Sequence, residues 1–221
     1  MGVEMEKTRF RHNAIIRWML VRVKKIQKLK TIGIDEAGRG PLAGPVAVGV
    51  VCFLSPNCPR IFRGVKESKQ LSAKAREKWF EKIKEEKVKG NIDFAVSLQS
   101  ALLIDQRGLT FVIRKAIDIC LKRLNQSPAE VRVLLDGGLR APLEYTEQQT
   151  IIKGDCKEQS IALASIVAKV TRDRLMIALA KKYPQYSFEI HKGYGTKKHR
   201  GAIKKFGPIV IHRKSFLKNI V

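Results

Sequence analysis

An α/β layered fold is what the sequence predicts, and three observations carry the prediction. Short apolar runs alternate with helix-forming stretches, two of those runs stop at an aspartate close to glycines, and a long helical segment closes just before Pro184. Taken in order, residues 31–35 (Thr-Ile-Gly-Ile-Asp) read as a short strand. A Gly-rich turn with Gly38, Gly40 and Gly44 follows, and then a second strand over residues 46–53. Ser72 is a suitable N-cap for a helix over residues 72–87. Residues 100–124 carry a looser helical period around Leu103, Phe111 and Ile117. Residues 131–135 form an apolar strand halted by Asp136-Gly137-Gly138, and residues 160–182 form the long helix, with Ile161, Ala164, Ala168 and Leu175 among its apolar positions. Residues 1–30 stand apart as a basic, helical N-terminal extension to a domain over residues 31–221, whose basic C-terminal part spans about 183–221.

The charge balance restricts the partners. Lys and Arg number 44 against 20 Asp and Glu, a formal net charge of +24 over 221 residues, while 44% of the chain is hydrophobic. A chain of that composition folds around a core and attracts polyanions, so a disordered basic tail is a poor reading and nucleic acid or an anionic membrane surface is the expected partner. After Glu189 no acidic residue occurs, and Lys192, Lys197, Lys198, Arg200, Lys204, Lys205, Arg213, Lys214 and Lys218 form a footprint for a phosphate backbone with Tyr194 and Phe206 interleaved. His191, His199 and His212 lie within it and are expected to contact phosphate rather than metal. Cys52, Cys58, Cys120 and Cys156 form no C-x-x-C pair and read as reduced thiols, which points to the cytoplasm. The longest apolar run, residues 41–54, is too short to span a bilayer and contains Gly and Pro, so no membrane role is expected.

In so basic a chain, acids at strand ends need a reason. Asp35 ends the first strand and Asp136 ends a later one; Glu36 shares a site with Asp35 only if the chain bends at Glu36, since neighbouring strand residues face opposite ways. Asp173 has Val170, Met176 and Ile177 as helical neighbours, with Lys169 the charged exception, and is expected to face the core or the sheet. Each acid alone could cap a helix or satisfy a turn. Gathered in one crevice they repel one another unless a multivalent cation neutralises them, and oxygen-only ligands select Mg²⁺ or Mn²⁺. That chemistry is metal-assisted phosphodiester cleavage. Two other readings stay open at this point: a basic RNA-binding module without chemistry, and a carboxylate-metal nuclease of the resolvase or integrase kind.

Residues 33–46, Gly-Ile-Asp-Glu-Ala-Gly-Arg-Gly-Pro-Leu-Ala-Gly-Pro-Val, resemble the opening signature of the type 2 ribonuclease H family, ribonuclease HII. Residues 68–72 (Ser-Lys-Gln-Leu-Ser), residues 154–157 leading into residues 164–173 (Ala-Ser-Ile-Val-Ala-Lys-Val-Thr-Arg-Asp), and residues 191–196 (His-Lys-Gly-Tyr-Gly-Thr) with His199 agree with it, so the resemblance covers about residues 31–217. It implies a ribonuclease H-like mixed sheet flanked by helices, with a helical C-terminal part. It also implies four catalytic, metal-binding acids at Asp35, Glu36, Asp136 and Asp173, with two ions expected alongside substrate. Gly38, Arg39 and Gly40 are expected to read the ribose 2′-hydroxyl, and Tyr194 to sense the RNA-to-DNA junction. The implied activity is cleavage of the RNA strand of RNA–DNA hybrids and nicking of duplex DNA 5′ of an embedded ribonucleotide, giving 3′-hydroxyl and 5′-phosphate ends, by a monomer. These are the steps of ribonucleotide and RNA-primer removal. Glu67, where the family pattern has Asp, and residues 105–108 depart from that pattern. The sister type 3 enzymes have a different residue set in place of residues 37–40.

Overall fold

The protein was analysed as a computed structural model that describes residues 29–218; all but the last two residues of the N-terminal extension lie outside them. Five strands form one sheet in the order β3-β2-β1-β4-β5: β1 (Lys30–Ala37), β2 (Val46–Phe53), β3 (Ile92–Gln99), β4 (Val131–Asp136) and β5 (Gln148–Ile151). The β1-β2-β3 meander is antiparallel, and β4 and β5 run parallel to β1, so the sheet is mixed. The helices are α1 (Cys58–Ile61), α2 (Ala73–Val88), α3 (Ala101–Arg107), α4 (Leu109–Leu124), α5 (Gly154–Lys157), α6 (Gln159–Lys182), α7 (Phe188–His191) and α8 (Lys197–Phe206).

Local chemistry accounts for most of the boundaries. Ser72 caps α2, its hydroxyl accepting from Ala75 N at 3.2 Å. The helical period over residues 100–124 resolves into two helices, because Gly108 takes φ +79° between α3 and α4. β1 continues through Glu36 to Ala37, so the expected bend at Glu36 is not found; the chain turns at Gly38, with φ +92°. β3 and β5 escape the sequence reading. Asp93 and Ser97 dilute the alternation of the first, and the second is a short polar edge strand, Gln-Gln-Thr-Ile.

Alternation along the strands builds two cores. Ile32 and Ile34 of β1 face the α4 side, packing with Val112, Ile117 and Leu121. On the other face, Leu163, Ala164 and Val167 of α6 pack with Phe80 and Ile83 of α2. There α6 rests directly on strand backbone: a Cβ on Gly33 would lie 2.1 Å from Ser160 C, and one on Gly49 would lie 2.3 Å from Ala164 O. A third cluster, around Met176, Tyr186, Phe188 and Ile203, seats the C-terminal segment. No helix among the described residues is long and apolar enough to cross a membrane.

Candidate active site

Parallel pairing aligns Ile34 of β1 with Leu135 of β4, so the next residues, Asp35 and Asp136, leave the sheet side by side. By alternation Asp35 shares the α6 face with Gly33, and Asp136 shares it with Leu134. β5 then returns the chain to this end, where Gly154 N donates to Asp136 Oδ1 at 2.7 Å and fixes α5 beside β4. Asp155 is thereby brought in: carboxylate oxygens of Asp35, Asp136 and Asp155 lie within 4.8 Å of one another. Asp155 belongs to the matched Gly-Asp-Cys-Lys segment, but nothing in the sequence alone assigns it a role in the site.

The electrostatics are those of crowded anions. Burial pushes the Asp35 carboxyl well above its usual range, and the charges of Glu36, Asp136 and Asp155 push it further, against a hydrogen bond from Glu36 N at 2.7 Å. Asp155 is raised to about 6 by burial, by a hydrogen bond shared with Glu67, and by the charge of Asp136. Glu67 is lowered by that same bond. Burial works against the charged form of Lys69, yet the surrounding charges of Asp155, Asp35, Glu67 and Asp136 outweigh it and raise the lysine. Three carboxylates sharing one site, Asp35 and Asp155 buried and Asp136 half-buried, all oxygen donors, fit a hard divalent cation.

The other two expected ligands, Glu36 and Asp173, are not among those three. Glu36, the next residue of β1 after Asp35, bonds Arg39 Nη1 at 3.1 Å; burial raises it, Arg39 opposes that, and the charge of Asp136 reaches it. Asp173 is not one of the three clustered acids. Fourteen residues beyond Gln159, it sits about 21 Å along α6 from that residue, and its carboxylate accepts from Lys169 Nζ at 2.9 Å, one helical turn back. Tyr194 lies 43% exposed on the loop after α7, its ring 6.0 Å from Lys169 Nζ and 5.9 Å from Arg172 Cζ. That loop abuts residues 42–43, whose amides donate to Gly193 O at 2.8 and 3.3 Å. Gly40 is exposed, with open space where a Cβ would be, whereas at Gly38 a Cβ would lie 2.1 Å from Arg172 Nε.

The histidines correct an expectation. His191, His199 and His212 are buried rather than set out for phosphate. His199 Nδ1 meets Tyr194 O at 2.9 Å, His199 Nε2 meets His212 Nε2 at 3.1 Å, and Ile209 N donates to His212 Nδ1 at 2.9 Å. This chain of bonds ties the Tyr194 loop to the C-terminal segment. Burial lowers all three histidines, His199 to about 4.

Comparison with known proteins gives one answer. The Ribonuclease HII family profile matches residues 32–219. The ribonuclease HII of Caldicellulosiruptor bescii is 44% identical over 189 residues, covering 86% of this chain and 87% of the relative. That of Clostridioides difficile is 45% identical over 192 residues, covering 86% and 70%. Among solved structures, ribonuclease H2 from Pyrococcus horikoshii superposes with a TM-score of 0.67 at 28% identity, covering 87% of this chain and 97% of the other. An Archaeoglobus fulgidus ribonuclease HII, solved in complex with PCNA, gives 0.68 at 25% identity, covering 84% and 94%. A type 3 enzyme in complex with Mn²⁺, 19% identical at a TM-score of 0.64 and covering 87% and 68%, shares the fold. With the profile spanning nearly all the described residues and relatives matched along most of their length, this chain belongs to the ribonuclease HII family, divalent-metal endoribonucleases that act on RNA–DNA hybrids.

Proposed function

We propose that the chain cuts the RNA strand of hybrids and also nicks duplex DNA 5′ of a single embedded ribonucleotide. The observation that carries the reading is the convergence of Asp35, Asp136 and Asp155, two of them buried and one half-buried, near a Gly-rich turn exposed at Arg39 and Gly40. We assign Asp35, Asp136 and Asp155 as ligands of Mg²⁺ or Mn²⁺, with Glu36 alongside Asp136. Asp155 takes the place that the sequence resemblance gave to Asp173. A bound divalent cation supplies Lewis acidity and a nucleophile at neutral pH, the chemistry that phosphodiester hydrolysis needs.

The chain's own groups supply position and selectivity. Asp35 and Asp136 are set by the β1–β4 register, and Asp155 by the Gly154 amide. Lys69 offsets part of the negative charge while the pocket fills. Gly40, open and exposed, lets the backbone approach a ribose, and the 2′-hydroxyl is the only chemical difference to be read there. Asp173 holds Lys169 near the ring of Tyr194, which supports a role for that exposed ring against the neighbouring deoxyribose. The free cysteines fit a reducing compartment such as the cytoplasm.

The test incubates the protein in Mg²⁺ or Mn²⁺ with matched duplexes that are all DNA, RNA–DNA hybrid, or DNA carrying one ribonucleotide. The expected result is an intact first duplex, a cleaved second, and a third nicked 5′ of the ribonucleotide with a 3′-hydroxyl. Tyr194→Ala should bind the third with little loss and cut it far more slowly. An uncut third duplex, or wild-type nicking by that variant, overturns the corresponding part of the reading.

A further inference from the structure

Behind residues 38–45 two arginines are fully buried, and neither makes a salt bridge among the described residues. Arg172 of α6 donates from Nε to Pro45 O at 2.9 Å and from Nη2 to Ala43 O at 3.1 Å. Arg213 donates from Nε to Gly44 O at 3.0 Å, from Nη1 to Arg39 O at 2.8 Å, and from Nη2 to Gly38 O at 2.6 Å. A guanidinium withdrawn from water needs its donors satisfied; for Arg213 backbone carbonyls meet all three nitrogens, as a carboxylate usually does in part, while Arg172 keeps Nη1 unpaired among the described residues.

The trans peptide turns that arrangement into a statement about amides. Carbonyl and N–H of one planar unit point in opposite directions, so a carbonyl held inward turns its partner N–H outward. Gly38 O shares its unit with Arg39 N, and Arg39 O with Gly40 N. Neither of these amides donates to a protein acceptor in the loop and turn hydrogen bonds of the described residues, whereas those of Leu42, Ala43 and Gly44 do. We propose that Arg213 is a positioning residue for substrate recognition. It fixes two consecutive peptides with their N–H groups facing the bound strand, where they donate to the ribose and an adjacent phosphate. This rests on the reading of residues 38–40 as substrate-binding.

Arg213 is itself anchored at a distance from the site. Asp105 of α3 accepts from Lys214 N at 2.8 Å, from Ser215 N at 3.0 Å and from Ser215 Oγ at 2.5 Å, holding the turn that begins at Arg213. Residues 105–108, a departure from the family pattern, thus have a local task in this chain.

The experiment compares Arg213→Gln and Arg213→Lys with wild type. Thermal melting and Mn²⁺ titration serve as controls for the fold and for the metal pocket. In an Asp136→Asn background, where cleavage is suppressed, binding to one-ribonucleotide and all-DNA duplexes is measured. In the otherwise wild-type enzyme, kcat and KM are separated. We expect kcat/KM to fall about a hundredfold through KM, with the preference for the ribonucleotide duplex collapsing. Lysine should not rescue, since one ammonium cannot span three carbonyls. A merely structural arginine would reduce the active fraction, hence kcat, and leave KM and preference unchanged; that result, with Gly40→Asp impaired, overturns the positioning role alone. Gly40→Asp with wild-type KM and preference overturns the loop reading and the inference with it. Should both Arg213 variants fail to fold, Asp105→Ala decides: reduced preference supports the role, and unchanged preference overturns it.

Discussion

At the ends of β1 and β4 three aspartates crowd within 4.8 Å, while behind residues 38–45 two arginines share one buried layer. Both regions collect like charges away from water, and neither pairs with the other. The arginines are met by five carbonyls of their own chain, which leave only Arg172 Nη1 of their nitrogens without a partner among the described residues. The aspartates receive two amide hydrogen bonds, from Glu36 N and Gly154 N, and otherwise face one another, Glu67 and Lys69. Like charge satisfied by backbone is architecture, whereas like charge left to repel is a place for a ligand of opposite sign.

The largest expected effect breaks the acidic side of that comparison. Asp136→Asn should lower turnover in Mg²⁺ by at least about a thousandfold, some 4 kcal/mol in the barrier, with hybrid binding retained. Asp155→Asn should follow at about a hundredfold, and Asp173→Asn at under about tenfold. Steady-state rates on one hybrid check the order, and a reversal of the last two returns the fourth ligand to Asp173.

The second effect sharpens the basic side. His199 is held at about 4, below its usual 6.5, because it is buried neutral. A depressed histidine gives stability that is present above pH 6.5 and lost as pH falls through about 4, up to about 3 kcal/mol. Thermal melts between pH 7.5 and 4.5 should show wild type losing more than His199→Gln. Parallel curves would assign the acid sensitivity to other groups.

The smallest effect concerns the exposed cations, which should act through salt alone. Lys197, Arg200 and Lys204 line an open concavity beside Gly195. Changing all three to Gln should reduce the slope of log affinity against log salt by about 0.9 for each phosphate no longer neutralised, with kcat at saturation unchanged. An unchanged slope places the phosphate-binding cations elsewhere.

What is legible in the sequence follows from the kind of signal each residue carries. Asp35 and Asp136 announce themselves as acids closing apolar strands near glycines. Asp155 does not, because its segment, Lys-Gly-Asp-Cys-Lys, has no periodicity and reaches the site only through β5, a polar edge strand. For Asp173 the apolar neighbours are plain from helical spacing, but the charged exception, Lys169, proves to be its partner. Composition misleads for the histidines, since basic neighbours in sequence suggest a solvated surface. In α8 the buried pair His199 and Ile203 lies four residues apart, the spacing of an inner helical face.

Gly33 and Gly49 set how closely α6 approaches the sheet, with no side chain between helix and strand. The helix therefore works as a gauge block: one end starts just after Asp155, and further along it carries Lys169 and Arg172, so its height fixes the spacing between the acidic pocket and the Gly-rich turn. A methyl group at either glycine would lift the whole span at once and detune both places together, without touching a single residue that meets the nucleic acid.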